Sequence, residues 1–67
     1  MKIFAERLKE LRNEKNLSLI ELSKELKISN ATLCRWENNI CDIKGEQLVV
    51  LSKYFNVSID YLLGLED

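Results

Sequence analysis

Residues 17–38 constrain the fold of this chain more than any other segment, because they predict two short helices joined by a tight turn. The first helix opens with Ser18-Leu-Ile-Glu21, the spacing of a capping box, in which the hydroxyl and the carboxylate satisfy backbone N–H groups at the helix start. Leu22 and Leu26 follow at helical spacing and predict one buried stripe. The rest of the chain then has to supply the scaffold that holds this pair of helices.

The second helix of the pair has an apolar face and a polar face. It follows the turn Lys27-Ile-Ser29, and Ser29 is a favourable N-cap. At about 100° per residue, Leu33, Trp36 and Glu37 fall on the inner side of this helix, and the outer stripe is short and mostly polar. The outer stripe consists of Ala31, Arg35 and Asn38, flanked by Thr32 and Cys34, with Asn30 at the helix tip. This layout is typical of a helix-turn-helix, whose second helix is the right size to enter the DNA major groove.

The remainder of the chain predicts three further helices and no linker. With no Pro and with Gly only at positions 45 and 64, the chain is poor in helix breakers, which favours an all-α fold. Apolar spacing predicts helices over residues 2–15, 46–55 and 58–63, with Asn16 and Gly64 ending the first and the last of them. The predicted inward side chains are Phe4, Leu8, Leu11, Leu48, Leu51, Phe55, Ile59, Leu62 and Leu63. A length of 67 residues allows a single domain, residues 1–67, with one small core.

The charge is unevenly distributed along the chain. The formal net charge is −1, which is not the basic balance expected of a nucleic-acid binder. Residues 45–67 carry the acidic excess, whereas residues 1–16 and 24–44 are net positive. The charged residues of the acidic segment are Glu46, Lys53, Asp60, Glu66 and Asp67. Because few cations are present to neutralise phosphates, we expect weak non-specific affinity for DNA.

The residues present disfavour several classes of function. The chain has no His, no nucleophile paired with a base and no glycine loop for phosphates, so we expect neither an enzyme nor a cofactor. We expect two free thiols at Cys34 and Cys41 and no metal site, with a redox role for Cys34 as the alternative. The small core leaves little room for a small-molecule pocket of about 300 Å³. No apolar run spans a membrane and no signal peptide opens the chain, so we expect a cytoplasmic protein.

Three segments in order resemble the DNA-binding domains of the Cro/CI phage-repressor family, also called XRE-like. They are Leu22-Ser-Lys-Glu-Leu-Lys-Ile-Ser29, Ala31-Thr-Leu-Cys-Arg-Trp-Glu-Asn-Asn39 and the final stretch of residues 48–64. The similarity covers nearly the whole chain, residues 4–64. It implies a compact five-helix, lambda-repressor-like domain in which the second and third helices form the helix-turn-helix.

The resemblance implies which residues contact DNA. The base-reading positions of the family match Asn30, Ala31 and Arg35, whose side chains can contact adenine, the thymine methyl group and guanine, respectively. The phosphate-contacting candidates are Ser18, Ser29, Thr32, Asn38 and Lys44. At the start of the second helix, where the family often has an amide that contacts phosphate, this chain has Leu19, so that contact is either missing or made by Ser18. The alternative for these residues is ordinary solvated helix surface.

The resemblance also implies a structural ion pair and a strained turn. An Arg of the first helix pairs in the family with the Glu that ends the third helix, and these positions match Arg12 and Glu37. The alternative is two solvated charges of little consequence for stability. In the turn where the family usually has Gly, this chain has Lys27, and a positive φ there would cost about 1 kcal/mol. After Glu37 the family's Gly and basic residues are missing, although Asn39 tolerates a left-handed conformation.

The function implied is that of a sequence-specific DNA-binding transcriptional regulator, a repressor, that reads the major groove with its third helix. One such helix reads few base pairs, so we expect a weak homodimer on a palindromic operator with half-sites about 34 Å apart. Candidate dimer contacts are Ile40, Ile43, Tyr61 and Leu65, whose alternative role is to complete the core. The alternative function is a protein-interaction module, such as an antitoxin or anti-repressor, which the acidic balance favours. The full set of helices favours a whole small protein over a fragment.

Overall fold

The computed structural model describes residues 2–40 and 43–65, which form five α-helices. They are α1 (Lys2–Glu14), α2 (Leu19–Leu26), α3 (Asn30–Glu37), α4 (Gly45–Phe55) and α5 (Ile59–Leu63). The predicted all-α fold is confirmed, and the predicted helix ends lie about one residue from the observed ones. Cys41, with its predicted free thiol, lies outside the described residues. Within the described ranges, no helix is long and apolar enough to cross a membrane.

Serine side chains start the short helices, as the sequence predicts. Ser18 Oγ accepts a hydrogen bond from the Glu21 N–H at 3.1 Å, and Glu21 Oε1 accepts one from the Ser18 N–H at 2.9 Å. The capping box before α2 is therefore confirmed, and the backbone hydrogen bond from Ser18 lowers the pKa of the Glu21 carboxyl group. Ser58 Oγ likewise accepts from the Tyr61 N–H at 2.9 Å. Each hydroxyl satisfies an N–H group that a helix start leaves without an intrahelical partner.

One residue in the left-handed region follows each of the five helices of the described chain. Asn occupies three of these positions and Gly one, and both residue types adopt this conformation readily. The left-handed residues are Asn16, Lys27, Asn39, Asn56 and Gly64. Lys27 differs from the others, because at φ 58° and ψ 36° its Cβ lies too close to a backbone carbonyl oxygen. The turn between α2 and α3 is therefore strained at the position where the resemblance expects Gly.

The core forms around the aromatic contact between α1 and α3. Phe4 and Trp36 meet edge to face, with ring centroids 6.4 Å apart. The other buried members of this cluster are Leu8, Leu11, Leu22, Leu33, Ile43, Leu51, Phe55 and Leu62. Every helix contributes to the cluster. Burial of each Leu or Phe side chain stabilises the folded state by about 1.5–3 kcal/mol relative to leaving it exposed. Of the other predicted inward residues, Leu48 packs on the cluster while half-buried, and Ile59 and Leu63 are half-buried.

The four candidate dimer contacts differ in their exposure. Ile43 is buried, so it completes the core and does not present a surface to a partner. Tyr61 is half-buried and stacks with Arg7, whose guanidinium carbon lies 4.1 Å from the centroid of the Tyr61 ring. Ile40 and Leu65 are 69% and 72% exposed. Only the last two present most of their apolar surface to a partner.

Replacing Lys27 by Gly should raise the free energy of unfolding by about 0.5–1 kcal/mol. Gly relieves the contact of Cβ in the left-handed region, although it also increases the entropy of the unfolded chain. For a domain of this size the gain corresponds to about 2–8 °C in Tm, measurable by thermal denaturation. The matched control is Lys27→Ala, which shortens the side chain but keeps Cβ and should give no comparable gain. A lower Tm for Lys27→Gly would contradict the strained turn.

Candidate nucleic-acid interface

Burial fixes the inner face of α3. Leu33 and Trp36 lie in the core, and Glu37 is buried beside them. These are the positions that the sequence predicts to point inward. Since the buried positions recur on one side of a helix of 8 residues, the opposite side faces solvent.

Glu37 is buried as an ion pair with Arg12 of α1. Arg12 Nε donates to Glu37 Oε2 at 2.6 Å and Nη2 donates to Oε1 at 3.0 Å, so the two planar groups meet as a fork. Arg12 Nη1 donates a further bond to the carbonyl oxygen of Leu17 at 2.8 Å. The side chains of Arg12 and Glu37 are 16% and 3% exposed. The hydrogen bond with Glu37 raises the pKa of Arg12, so the guanidinium stays charged and joins α1, the following loop and the end of α3.

The residues assigned to base reading lie exposed on α3. Asn30 and Ala31 form its first turn and Arg35 lies in its last turn. The Arg35 guanidinium has no hydrogen-bond or ion-pair partner among the residues that the structure describes. An amide, a methyl group and a guanidinium are thus presented together, and they match three different features of base pairs in the major groove.

Two hydroxyl groups lie together at the start of α3. Ser29 Oγ accepts from the Thr32 N–H at 3.1 Å, and the two side-chain oxygens are 2.8 Å apart. One of the two hydroxyl hydrogens makes the bond between them, which leaves the other to be donated outward. Ser18 has the same property at the start of α2, because its oxygen accepts from the backbone and its hydrogen is not needed there. Ser18, and the Ser29–Thr32 pair through one of its two hydroxyl groups, can therefore satisfy a helix start and donate to a phosphate oxygen at once.

Asn38 has an intramolecular role that the sequence does not reveal. It is the C-cap of α3, and its Nδ2 donates to the Cys34 carbonyl oxygen at 2.8 Å and to Cys34 Sγ at 3.3 Å. A phosphate offers only acceptor oxygens, so Asn38 would have to redirect an amide hydrogen to contact one. Cys34 itself is a half-buried free thiol. The assignment of Asn38 to phosphate contact stays a prediction.

Two positions on either side of α3 bear on phosphate contact: Lys44, a predicted contact, and Leu19, where this chain departs from the family. Lys44 is exposed at the N-cap of α4, where its N–H donates to Gln47 Oε1 at 3.3 Å. At the start of α2, Leu19 is half-buried against the core and Ile20 is exposed. The position at which the family often has an amide thus presents an apolar surface beside the Ser18 hydroxyl.

Two basic residues of the N-terminal segment contact aromatic rings, which the sequence gives no means to predict. Arg7 of α1 lies over the Tyr61 ring, and Lys15, just after α1, has its Nζ 5.3 Å from the centroid of the Tyr54 ring. These contacts connect α1 to α5 and the loop after α1 to α4. The exposed basic residues between the start of α2 and the start of α4 are Lys24, Lys27, Arg35 and Lys44. Of this set, Arg35 lies on α3 itself, and Lys24, Lys27 and Lys44 lie on α2, in the turn before α3 and at the start of α4.

The fold and the ion-paired helix-turn-helix define a class of DNA-binding domain. The family model described as helix-turn-helix matches residues 8–62, from the middle of α1 to the last turn of α5. This chain belongs to that family, in its Cro/CI, or XRE-like, form.

Three transcriptional regulators are similar to nearly the whole chain. The HTH-type transcriptional activator BcrR of Enterococcus faecalis is 38% identical over 64 residues, which are 96% of this chain and 31% of BcrR. The HTH-type transcriptional regulator ImmR of Bacillus subtilis (strain 168) is 38% identical over 61 residues, 91% of this chain and 48% of ImmR. YobD of the same organism, also named as an HTH-type regulator, is 29% identical over 65 residues, 97% of this chain and 58% of YobD. The chain thus spans 31% to 58% of the length of these relatives.

Removing either member of the ion pair should destabilise the domain, but by unequal amounts. Arg12→Met should cost about 3–5 kcal/mol, because it leaves the Glu37 carboxylate buried without a counter-ion. Glu37→Met should cost less, because Arg12 keeps the Leu17 carbonyl and some contact with water. The double variant should be more stable than Arg12→Met alone, since an apolar pair can replace a buried ion pair. Urea denaturation measures all three, and losses well under 1 kcal/mol for both single variants would mean that the charges are effectively solvated.

Proposed function

We propose that this protein is a sequence-specific DNA-binding transcriptional regulator that reads the major groove with α3. The observation that carries the proposal is the arrangement of α3, whose inner face is fixed by a buried ion pair while its outer face presents Asn30, Ala31 and Arg35 to solvent. The buried inner face holds α3 rigidly, so its outer side chains keep the defined geometry that bidentate hydrogen bonds to base edges require. The three relatives named as transcriptional regulators support the same function.

Each exposed side chain has a role in this proposal. The Arg35 fork donates two hydrogen bonds to the O6 and N7 atoms of a guanine, and Asn30 pairs with the N6 and N7 atoms of an adenine. The Ala31 methyl group contacts the methyl group of a thymine. The free hydroxyl hydrogens of Ser18 and of the Ser29–Thr32 pair, together with Lys44, hold the phosphate backbone on either side.

We propose a two-fold homodimer on a palindromic operator, acting as a repressor. One α3 contacts too few base pairs to select one genomic site, and two-fold operators mirror a two-fold protein. Repression by occupancy needs only binding at a promoter, which the α3 face supplies. Activation, the role in the name of BcrR, needs a further contact with another protein. Function at an operator also places the protein in the compartment of the genome, which is the cytoplasm in the bacterial relatives.

The Arg35→Ala variant tests the proposal. Selection of bound sequences from a random duplex library should return a two-fold symmetric motif for the wild type, with one G per half-site that becomes indifferent in Arg35→Ala. Loss of one bidentate contact corresponds to about 5- to 150-fold less discrimination at that base pair. The matched control is Lys9→Ala on the exposed side of α1, which should return the wild-type motif.

The salt dependence of binding separates DNA binding from the alternative of a protein-interaction module. Binding to the selected duplex should weaken steeply as salt rises, because phosphate contacts release counterions, whereas an apolar protein contact should not. The absence of any enriched motif for the wild type, or a motif indifferent to Arg35, would overturn the proposed function of α3.

A further inference from the structure

The solvent side of α4 carries a stripe of four residues that the DNA-binding face does not use. Glu46, Val49, Val50 and Lys53 recur at helical spacing, on the side opposite the buried Leu51 and Phe55. We call these four residues the α4 stripe. The two Val side chains are 39% and 43% exposed, although β-branched residues are less favourable than Ala or Leu in a helix. About two fifths of each Val side chain therefore stays accessible to a partner on the outer surface.

The charged ends of the α4 stripe are unpaired. Neither Glu46 nor Lys53 forms an ion pair or a side-chain hydrogen bond among the residues that the structure describes. They are separated by about 10.5 Å along the helix axis, at 1.5 Å per residue, so they cannot pair with each other. An acidic end, an apolar centre and a basic end thus follow one another along the helix.

The order of these residues is symmetric about the midpoint between Val49 and Val50. When two copies of a helix lie antiparallel about a two-fold axis at that point, Glu46 of each copy faces Lys53 of the other, and Val49 faces Val50. A two-fold interface requires this self-complementarity, because each contact between two positions is repeated in the reverse sense. Parallel packing would instead place Glu46 against Glu46 and Lys53 against Lys53.

We infer that the α4 stripe is a self-association surface on which a second copy of this chain packs, with the two α4 helices antiparallel about a two-fold axis. The occupant is a second copy rather than an unrelated protein, because the charges and the apolar centre complement themselves. One side of a helix of 11 residues buries far less than the roughly 800 Å² per partner of a stable interface, so the dimer is weak in free solution.

The surface has a clear use if the proposed function is correct, and in this respect the inference rests on that function. Two copies bound to adjacent half-sites are held at a high effective concentration, so a weak contact suffices to make their binding cooperative. The α4 stripe shares no residue with the base-reading set on α3, so packing of a second copy on the stripe leaves those side chains uncovered. The contact itself does not require DNA, which allows the two proposals to be tested separately.

Charge reversal at the two ends of the stripe tests the inference. E46K alone and K53E alone each place two like-charge pairs across the interface and should weaken self-association. In a one-to-one mixture of E46K with K53E, both cross-helix pairs join opposite charges, so the mixed dimer should form about tenfold more strongly than either variant alone at low salt. The E46K/K53E double variant should recover wild-type association. Sedimentation equilibrium at high protein concentration measures these constants.

The matched control is a mixture of E6K with K9E, two reversals at exposed sites on α1. This mixture has the same net charges as the first, so it measures any attraction that comes from net charge alone. A preference for mixed dimers equal to the control, a wild type that stays monomeric at every concentration, or a double variant that does not recover would each overturn the inference.

A duplex with a single half-site distinguishes failure of the α4 inference from failure of the proposed DNA-binding function. The wild type and the E46K/K53E double variant, which have the same net charge, should bind it equally, since one copy binds there and the α4 stripe is not used. Equal half-site binding without a mixed-dimer preference above the control would overturn the α4 surface and leave the proposed function standing. A mixed-dimer preference without any DNA binding would support the surface and overturn the function.

Discussion

The two hydrogen bonds between the Arg12 guanidinium and the Glu37 carboxylate hold α3 in its orientation against α1. A carboxylate at the inner side of a recognition helix is unfavourable unless a counter-ion meets it with the correct geometry. Arg12 does so with two hydrogen bonds, and its third bond fixes the carbonyl oxygen of Leu17. The pair therefore sets the rotation of α3 about its own axis and ties that rotation to α1 and to the loop that enters α2.

That fixed rotation decides which chemistry the protein presents. With Trp36 and Glu37 held inward, Arg35 and the first turn of α3 have to face outward. Part of the basic N-terminal segment is engaged within the protein, because Arg7 and Lys15 contact aromatic rings and Arg12 pairs with a carboxylate. An acidic net charge is thus compatible with a DNA-reading face, since recognition depends on a few placed donors more than on the total charge. With few free cations, we expect weak affinity for the phosphate backbone.

The sequence predicts the helices and the two faces of α3, because Ser caps, Asn or Gly ends and apolar spacing act locally. Lys27 is predictable as a strained position only through the resemblance, which shows that Gly is usual there. The third bond of Arg12 is not predictable, because its acceptor is a backbone carbonyl and any residue at position 17 offers one. The turn of Asn38 back to Cys34 and the burial of Ile43 beside the exposed Ile40 are also not predictable, since both depend on how the chain leaves α3 in three dimensions.

We propose that the outer face of α3 contacts DNA while the ion-paired inner face holds the helix in place. This is tested by titrating the isotope-labelled protein with a duplex that carries one selected half-site and by following the NMR chemical shifts. The largest shifts are expected in residues 29–38 and at the Arg35 Nε–H, with smaller ones near Ser18 and Lys44 and none along α5. Shifts concentrated on α4 or α5, with α3 unchanged, would contradict this proposal.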